Sequence, residues 1–317
     1  MSLTVVGSIA FDSVRTPFGE RDRMLGGSTV HFSLAASFFT EVRVVGPVGD
    51  DFGADELKVL EDRGVITDDI ERVGGGQTFF WRAHYEYDMN VAHTDDTQLN
   101  VFADFDPKLS DAAKRSELLF LGNIDPELQR RVRASCQAEF AGLDSMNFWL
   151  EHERESLVAA IAEVDCLLLN DAEIRELTGE PNLARAARTA MEMGPGVIVA
   201  KRGEYGAALF SGDEFFAIPG YLLEDVRDPT GAGDSFAGGF LGYLDSRRAA
   251  GDSVRDPAIL RQGMAYGSVL ASFNVEDFGT ERIQALTKEE IEERIRDFQR
   301  ITRFEVESAP APPPGTG

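Results

Sequence analysis

DPTGAGDSFAGGF, residues 228–240, carries four glycines and two aspartates in and around the start of an apolar run. Phe236 and Phe240 have the spacing of one helix face, and the helical pattern extends over residues 234–244. The small residues at 231–233 come just before that helix and leave its first N–H groups accessible. Together with the helix dipole, such groups form a ready site for an anion. A plain tight turn is the other explanation for these glycines.

Two roles are open for Asp234 on spacing alone, because it stands where the helical pattern begins. A carboxylate beside an anion site can take the proton of an attacking hydroxyl group while negative charge develops on a transferred phosphoryl group. Aspartate is also a common N-cap residue, and a cap needs no catalytic role. The rest of the chain has to separate these alternatives.

The chain is strongly acidic, with 31 Lys and Arg against 55 Asp and Glu and a formal net charge of −24. This balance argues against nucleic acid or an anionic membrane as the main partner. No stretch of 18 apolar residues exists and the first residues lack a basic segment, so we expect a cytoplasmic protein. Two cysteines, Cys136 and Cys166, cannot build a disulfide framework.

Short apolar runs rich in β-branched residues alternate with longer amphipathic stretches, which predicts an α/β fold with a largely parallel sheet. In such sheets, ligands bind beyond the carboxyl ends of the strands. The predicted strands are Leu3–Ile9, Val42–Val48, Leu118–Leu121, Cys166–Leu169 and Val197–Lys201. The predicted helices before the glycine-rich segment are Val30–Phe39, Phe52–Arg63, Leu157–Val164 and Leu183–Met193.

Residues 13–27 and 77–104 interrupt this alternation and are interpreted as a small β subdomain, a lid over the site. The alternative is an edge extension of the main sheet. Four aromatic residues of the second segment have odd residue numbers, so most of their side chains can lie on one face of an extended strand: Phe79, Trp81, Tyr85 and Tyr87. Such a face can stack on a nucleobase or a sugar, or form the lid core or a dimer contact. The proline-rich tail, residues 305–317, is predicted to be disordered.

DPTGAGDSFAGGF resembles the C-terminal signature of the ribokinase-like (PfkB) family of carbohydrate and nucleoside kinases, D-x-x-G-A-G-D-x-F. The likeness covers about residues 1–300, because other stretches similar to family motifs follow in the same order. The resemblance implies a ribokinase-like three-layer sandwich over residues 1–304 with a small β lid. The similar stretches are GSIAFD at 7–12, LGGSTVHFSLA at 25–35, NDAE at 170–173, AKRGEYGA at 200–207 and AYGSVLASFN at 265–274.

The resemblance implies a role for each matching position, with ATP, Mg²⁺ and, for some members, K⁺ as cofactors. Asp234 is the general base, and the amides of Gly231, Ala232 and Gly233 form the anion hole. The implied acceptor-binding residues are Asp12, Gly26, Gly27, His31, Asn123 and Asp234. The implied nucleotide and ion residues are Asn170 and Glu173 for the magnesium-bound phosphates, Lys201 and Gly203 for the nucleotide, and Asp228 for the monovalent cation.

Structural alternatives stand beside several of these roles. Asp12 can cap a turn, Glu173 can be a surface glutamate at a helix start, and Lys201 can be an ordinary lysine at a strand end. The glycine pair at 26–27 can serve only a tight turn.

Departures from the family pattern bear on the acceptor. His31 stands where many members have asparagine, and a histidine there is interpreted as a neutral hydrogen-bonding or packing residue. Ala10 replaces an asparagine of ribose kinases. The segment LDSMNFWL at 143–150 is similar to a D-x-N-x-R element of some ketosugar kinases but lacks its arginine, while GGST at 26–29 resembles adenosine kinases.

The sequence and this resemblance therefore predict an ATP-dependent phosphotransferase that acts on a hydroxymethyl group of a small sugar or sugar derivative. A nucleoside is the alternative acceptor. The alternative non-enzymatic function is that of a ligand sensor, and the intact G-A-G-D and N-x-x-E motifs argue against it. A nicotinamide-dependent dehydrogenase is disfavoured, because no G-x-G-x-x-G follows the first strand. Neither nucleic acid nor a membrane is expected as a partner, and a homodimer through the lid edge is a hypothesis.

Overall fold

The computed structural model describes residues 3–305, and residues 1, 2 and 306–317 lie outside this range. The prediction of a disordered tail at 305–317 falls, except for Glu305, outside the described residues.

In the described chain, the largest sheet has nine strands, and seven of them pair in parallel. Two antiparallel strands extend one edge. In spatial order the strands are β13 (Glu214–Ile218), β12 (Ala207–Ser211), β11 (Val197–Lys201), β10 (Cys166–Asn170), β9 (Phe140–Leu143), β8 (Leu118–Leu121), β1 (Leu3–Val6), β4 (Val42–Val48) and β5 (Ile66–Arg72).

Both faces of this sheet are buried, so its central strands are continuously apolar rather than alternating. Successive residues of one strand point to opposite faces and enter different cores. In β8, Leu118 and Phe120 enter one core, whereas Leu119 and Leu121 enter the other. The sheet is therefore the middle layer of three.

Helices cover the sheet on both sides. The first core receives apolar residues from α1 (Ser28–Ala36), α2 (Ala54–Glu61), α9 (Ala232–Ala249), α10 (Pro257–Asn274), α11 (Glu281–Ala285) and α12 (Lys288–Thr302). The second core receives them from α3 (Asp111–Lys114), α4 (Pro126–Ser135), α5 (Asn147–His152), α6 (Arg154–Ile161), α7 (Asp171–Thr178) and α8 (Leu183–Glu192).

Glycines allow α9 to lie unusually close to two neighbouring helices. A Cβ at Gly238 would come within 2.2 Å of the carbonyl oxygen of Phe32 in α1, and one at Gly239 would come within 3.0 Å of Gly267 in α10. Any larger side chain would push these helices apart. The glycines inside the helix thus hold its N-terminus firmly between α1 and α10.

A separate four-stranded sheet contains β3 (Gly19–Gly26), β2 (Ala10–Thr16), β6 (Phe79–Tyr85) and β7 (Ala92–Gln98), in that order. The predicted small β subdomain is thus a sheet of its own and not an extension of the main sheet. Two of its pairings are antiparallel, and β2 pairs with β6 in parallel. The sheet begins at Ala10, earlier than the predicted boundary at residue 13.

The predicted α/β fold is confirmed, and three strands have the predicted bounds at both ends: β4, β8 and β11. The first strand ends at Val6 instead of Ile9, because the backbone N–H of Ser8 donates to Ser28 at the start of α1. Over residues 3–305, no helix is long and apolar enough to cross a membrane.

Candidate active site

The residues singled out in the sequence converge on the carboxyl end of the parallel sheet, where α9 begins. Gly231 is the N-cap of α9 and has φ 74°, a conformation that favours glycine. Because Gly231 is the cap, Asp234 lies inside the first turn and is not the N-cap residue. The alternative that Asp234 is only the N-cap of this helix is therefore wrong.

The three N–H groups of the predicted anion hole differ in their hydrogen bonding. The backbone N–H of Ala232 donates to the carbonyl oxygen of Pro229 at 3.1 Å, which closes the turn. Among the described residues, no group accepts a hydrogen bond from the N–H of Gly231 or Gly233. The amide of Ala232 thus makes a local turn bond, the amides of Gly231 and Gly233 do not, and an anion hole at 231–233 stays a prediction.

Asp234 is partly buried and close to other charges. Burial raises its pKa to about 7, the nearby Asp144 carboxylate adds to the rise, and Lys201 and a backbone N–H oppose it. A carboxyl group with this pKa can accept a proton near neutral pH. Asp234 therefore has the protonation behaviour of a general base.

Lys201 lies at the end of β11 and is paired, not a free lysine at a strand end. Its Nζ is 2.6 Å from Oδ2 of Asp144, which follows β9, and both side chains are largely buried. Burial lowers the pKa of Lys201, but Asp144 and Glu173 outweigh burial and raise it. A Cβ on Gly233 would lie 3.1 Å from Nζ, so a fixed positive charge stands beside the amides of the α9 turn.

Asp144 was not among the predicted site residues. Its position directly after a buried strand, at the same sheet edge as Lys201, was the available signal.

Asn170 and Glu173 form a capping box at the start of α7. The N–H of Glu173 donates to Oδ1 of Asn170, and the N–H of Asn170 donates to Oε2 of Glu173, both at 2.8 Å. Glu173 is buried, so the alternative of a surface glutamate is wrong. Burial raises its pKa to about 7, Lys201 lowers it, and Asp144 raises it further.

Asp12 is 5% exposed on β2, opposite the α9 turn. Burial raises its pKa to about 7; Asp228 and, less strongly, Asp234 raise it further, while the N–H of Gly27 donates to the carboxylate and opposes the rise. Gly26 leaves room for this carboxylate, because a Cβ there would lie 2.0 Å from Oδ2. The glycine pair therefore shapes the surroundings of Asp12 in addition to making a turn.

Asp228 is fully buried below the turn. Its two oxygens each accept a backbone N–H at 2.9 Å, from Thr230 and Gly279. Burial raises its pKa, and these bonds lower it. A role in monovalent-cation binding stays a prediction.

His31 and Asn123 are both engaged by protein groups. His31 is 1% exposed, and its Nδ1 is 2.9 Å from Oδ1 of Asn274. Burial lowers the pKa of His31 to about 4, so it is neutral at physiological pH. Oδ1 of Asn123 accepts from Trp149 Nε1 at 2.9 Å. Direct acceptor contacts from these two residues stay predictions.

Gly203 lies in the loop after β11 with φ 54°. A Cβ there would come within 1.9 Å of Asn90 Oδ1, so the tip of the β6–β7 hairpin touches this loop. The small sheet thus reaches from Asp12 to the loop that was predicted to contact the nucleotide.

The aromatic residues of β6 divide into different environments. Trp81 pairs in register with Asp12, and Tyr85 lies on the same face of the strand. The hydroxyl group of Tyr85 is 3.2 Å from Oγ1 of Thr230. Phe79 stacks on Phe102 within the small subdomain, and Tyr87 is 93% exposed beyond the strand end.

Comparisons with known proteins bear on the family and the fold of this chain. A family model described as "pfkB family carbohydrate kinase" matches residues 23–285. A cytidine kinase of Thermococcus kodakarensis is 26% identical over 262 residues, covering 80% of this chain and 92% of the relative. A nucleoside kinase of Methanothermobacter thermautotrophicus is 27% identical over 298 residues, covering 88% and 91%.

Among solved structures, the nucleoside kinase of Burkholderia thailandensis in complex with inosine superposes with a TM-score of 0.76. Its sequence is 19% identical, and the match covers 93% of this chain and 97% of that one. At this identity, the likeness shows a shared fold.

Proposed function

Because the chain belongs to the pfkB family of carbohydrate kinases, we propose that it transfers the γ-phosphoryl group of ATP to the hydroxymethyl group of a nucleoside. ATP-dependent phosphotransfer to a sugar or nucleoside is the activity common to its relatives. The nucleoside is our proposal, and a free sugar is the second candidate.

The register of β2 with β6 is the observation that carries the nucleoside proposal. It sets Trp81 beside Asp12, on the face from which Tyr85 reaches the α9 turn. A ligand held by Asp12 next to Asp234 would therefore meet aromatic surface. Stacking on an aromatic side chain contributes about 1–3 kcal/mol per nucleobase.

The segment that follows β9 supports the same proposal. Met146 and Phe148 are 41% and 48% exposed, and Met146 Sδ lies 3.0 Å from Nδ2 of Asn123 at the carboxyl edge of the sheet. This is the segment that resembles D-x-N-x-R but has no arginine. A flat base can pack against such a surface, whereas the carboxylate of a sugar acid would lack a cationic partner there.

In the proposed reaction, the acceptor hydroxyl oxygen attacks the γ-phosphorus of ATP and its proton passes to Asp234. The new oxygen–phosphorus bond forms as the bond to the β–γ bridging oxygen breaks, and ADP leaves. The unpaired N–H groups of Gly231 and Gly233 stabilise the charge on the transferred group. Lys201, held by Asp144, adds a fixed positive charge beside them.

Magnesium fits the donor set of this site. Mg²⁺ is usually held by one or two carboxylates, several waters and the phosphates of the substrate. Glu173 and Asp144 are the buried carboxylates beside Lys201, and we propose that Glu173, ordered by Asn170, holds the hydrated ion. The ion would neutralise phosphate charge during transfer.

The pH dependence of turnover follows from the raised pKa of Asp234. A general base works only when ionised, so a group with a pKa of about 7 loses activity as the pH falls through 7. We expect kcat/KM, which reports the pKa values of the free protein, to rise from pH 5.5 to 8 with an inflection near 7. The measurement is steady-state kinetics at substrate concentrations below KM, and the unfolding temperature at each pH shows that the protein stays folded. A flat profile between pH 5.5 and 8 would contradict this role.

A coupled ADP-release assay tests the acceptor. The panel contains pyrimidine and purine nucleosides, ribose, deoxyribose and a keto-deoxy sugar acid. We expect at least one nucleoside to exceed ribose in kcat/KM by about 10–100-fold, the range that base stacking can supply. We expect Trp81→Ala to raise the nucleoside KM about tenfold and to leave ribose turnover unchanged.

Tyr87→Ala is the matched control, because Tyr87 is an aromatic residue of the same hairpin that is 93% exposed. It should leave both KM values unchanged. Ribose turning over as fast as every nucleoside would favour the sugar candidate, and an equal effect of Trp81→Ala on both acceptors would argue against stacking.

A further inference from the structure

Asn274, the last residue of α10, joins three elements below the α9 turn and is fully buried. Its Nδ2 donates to the carbonyl oxygen of Thr230 at 2.7 Å. Its Oδ1 accepts from Ser235 Oγ at 3.0 Å and lies 2.9 Å from His31 Nδ1. One side chain thus connects the turn, the first turn of α9 and α1.

These bonds determine the orientation of both side chains. A carbonyl oxygen can only accept, so the group that faces Thr230 must be the amide nitrogen of Asn274. Oδ1 then faces His31, and Nδ1 of this neutral ring must carry the proton. The Nε2 atom of His31 is consequently an unprotonated acceptor, and it is buried without a partner among the described residues.

The His31 ring lies against Gly231. A Cβ on Gly231 would be 2.3 Å from the ring, so the ring packs directly under the turn whose amides are proposed to bind the transferred phosphoryl group. Thr230 extends the same connection outward, since its Oγ1 is 3.2 Å from the hydroxyl group of Tyr85 on β6. A chain of contacts therefore runs from the interior, through the turn, to the small sheet.

We propose that Asn274 is a positioning residue for phosphoryl transfer, which together with His31 fixes the Thr230–Gly231 turn and links it through Thr230 to Tyr85 of the small sheet. The proposal rests on the proposed role of the α9 turn. Asn274 touches neither substrate in this scheme. Its loss should therefore affect the transfer step more than nucleotide binding.

Asn274→Asp is the sharpest variant, because it keeps the size and the acceptor of the side chain. It replaces only the donor to Thr230 with a second oxygen, which repels the carbonyl group. We expect kcat to fall about 10–100-fold, as for a small misplacement of reacting groups, and KM for ATP to stay within about threefold. Kinetics of the full chain use the acceptor that the wild type phosphorylates best, whether nucleoside or sugar.

Tyr85→Phe is the second variant, since it removes one hydroxyl group. We expect kcat to fall about 2–10-fold, the effect of one lost hydrogen bond. Ser272→Ala is the control: Ser272 is also buried on α10, and its hydroxyl donates to Val269 and not to the turn. It should lower the unfolding temperature and leave kcat unchanged.

Unchanged kcat in folded Asn274→Asp, or in Tyr85→Phe if the first variant does not fold, would overturn the proposal. An equal loss in ATP affinity would also overturn it, because that result indicates a damaged nucleotide site. A wrong acceptor proposal gives a different result, namely a wild type that prefers a sugar while the variants still lose kcat.

Discussion

Asp234→Asn is expected to lower kcat about 1,000-fold, within the range of about 10²–10⁴ that general acid–base catalysis supplies. Asparagine keeps the size of the side chain and cannot take the proton of the acceptor hydroxyl group. The fold should persist, since Asp234 caps no helix. Burial disfavours the ionised form of the carboxyl group, as its raised pKa indicates, so the variant should unfold at the same or a higher temperature above pH 7.

Three measurements separate this outcome from general damage. Titration calorimetry with an ATP analogue should give an affinity near that of the wild type, and thermal unfolding should confirm the fold. Asp55→Asn is the matched control, because Asp55 is an exposed aspartate in the first turn of α2. Its kcat should be unchanged. Near-full turnover in Asp234→Asn would refute the general-base role.

Gly231→Ala is expected to lower kcat by about 100-fold or more and to destabilise the protein. Two effects combine at this position. The φ of 74° is unfavourable for alanine by about 1–2 kcal/mol, and the added Cβ would lie 2.3 Å from the His31 ring. Because His31 is buried and bonded to Asn274, the turn must move instead. Loss of one donor of an oxyanion hole typically lowers kcat about 10²–10³-fold.

Gly64→Ala isolates the backbone effect from the effect of the clash. Gly64 has φ 71°, and a Cβ there would meet nothing within 4 Å. This control should lose about 1–2 kcal/mol of unfolding free energy with unchanged kcat. Gly231→Ala should lose more stability than Gly64→Ala and should lose turnover as well. If the two variants behaved alike, the turn at 231 would have no special part in catalysis.

The small sheet makes two contacts with predicted site segments of the main body. Tyr85 reaches the α9 turn, and Asn90 at the hairpin tip touches Gly203 in the loop after β11. If this sheet is a lid, as the sequence predicts, the structure shows it closed, with Tyr85 at the α9 turn and the polar hairpin tip against the predicted nucleotide loop. Closure of this kind excludes water from a phosphoryl-transfer site.

The amino-acid sequence by itself determined that the fold is α/β with a largely parallel sheet, and it predicted a site at the carboxyl edge of that sheet. Strands β4, β8 and β11 have the bounds that their apolar runs predict, because buried parallel strands and turn residues are local signals. The glycine-rich turn before α9 could also be predicted from the sequence, since the start of the helix and the small residues before it lie within one short segment. The resemblance of several motifs to those of the ribokinase-like family also indicated a kinase, which the family match confirms.

Only the tertiary structure decided which groups of that edge are free and which are paired. Lys201 and Asp144 are 57 residues apart in sequence, and His31 and Asn274 are 243 apart. No periodicity connects such pairs, because their contact depends on how the helices pack against the sheet. The same holds at Ala232, whose amide donates to the carbonyl oxygen of Pro229, whereas the amides of Gly231 and Gly233 have no acceptor among the described residues. Local pattern and the family resemblance therefore indicated the chemistry, and packing determined which side chains of this edge are paired.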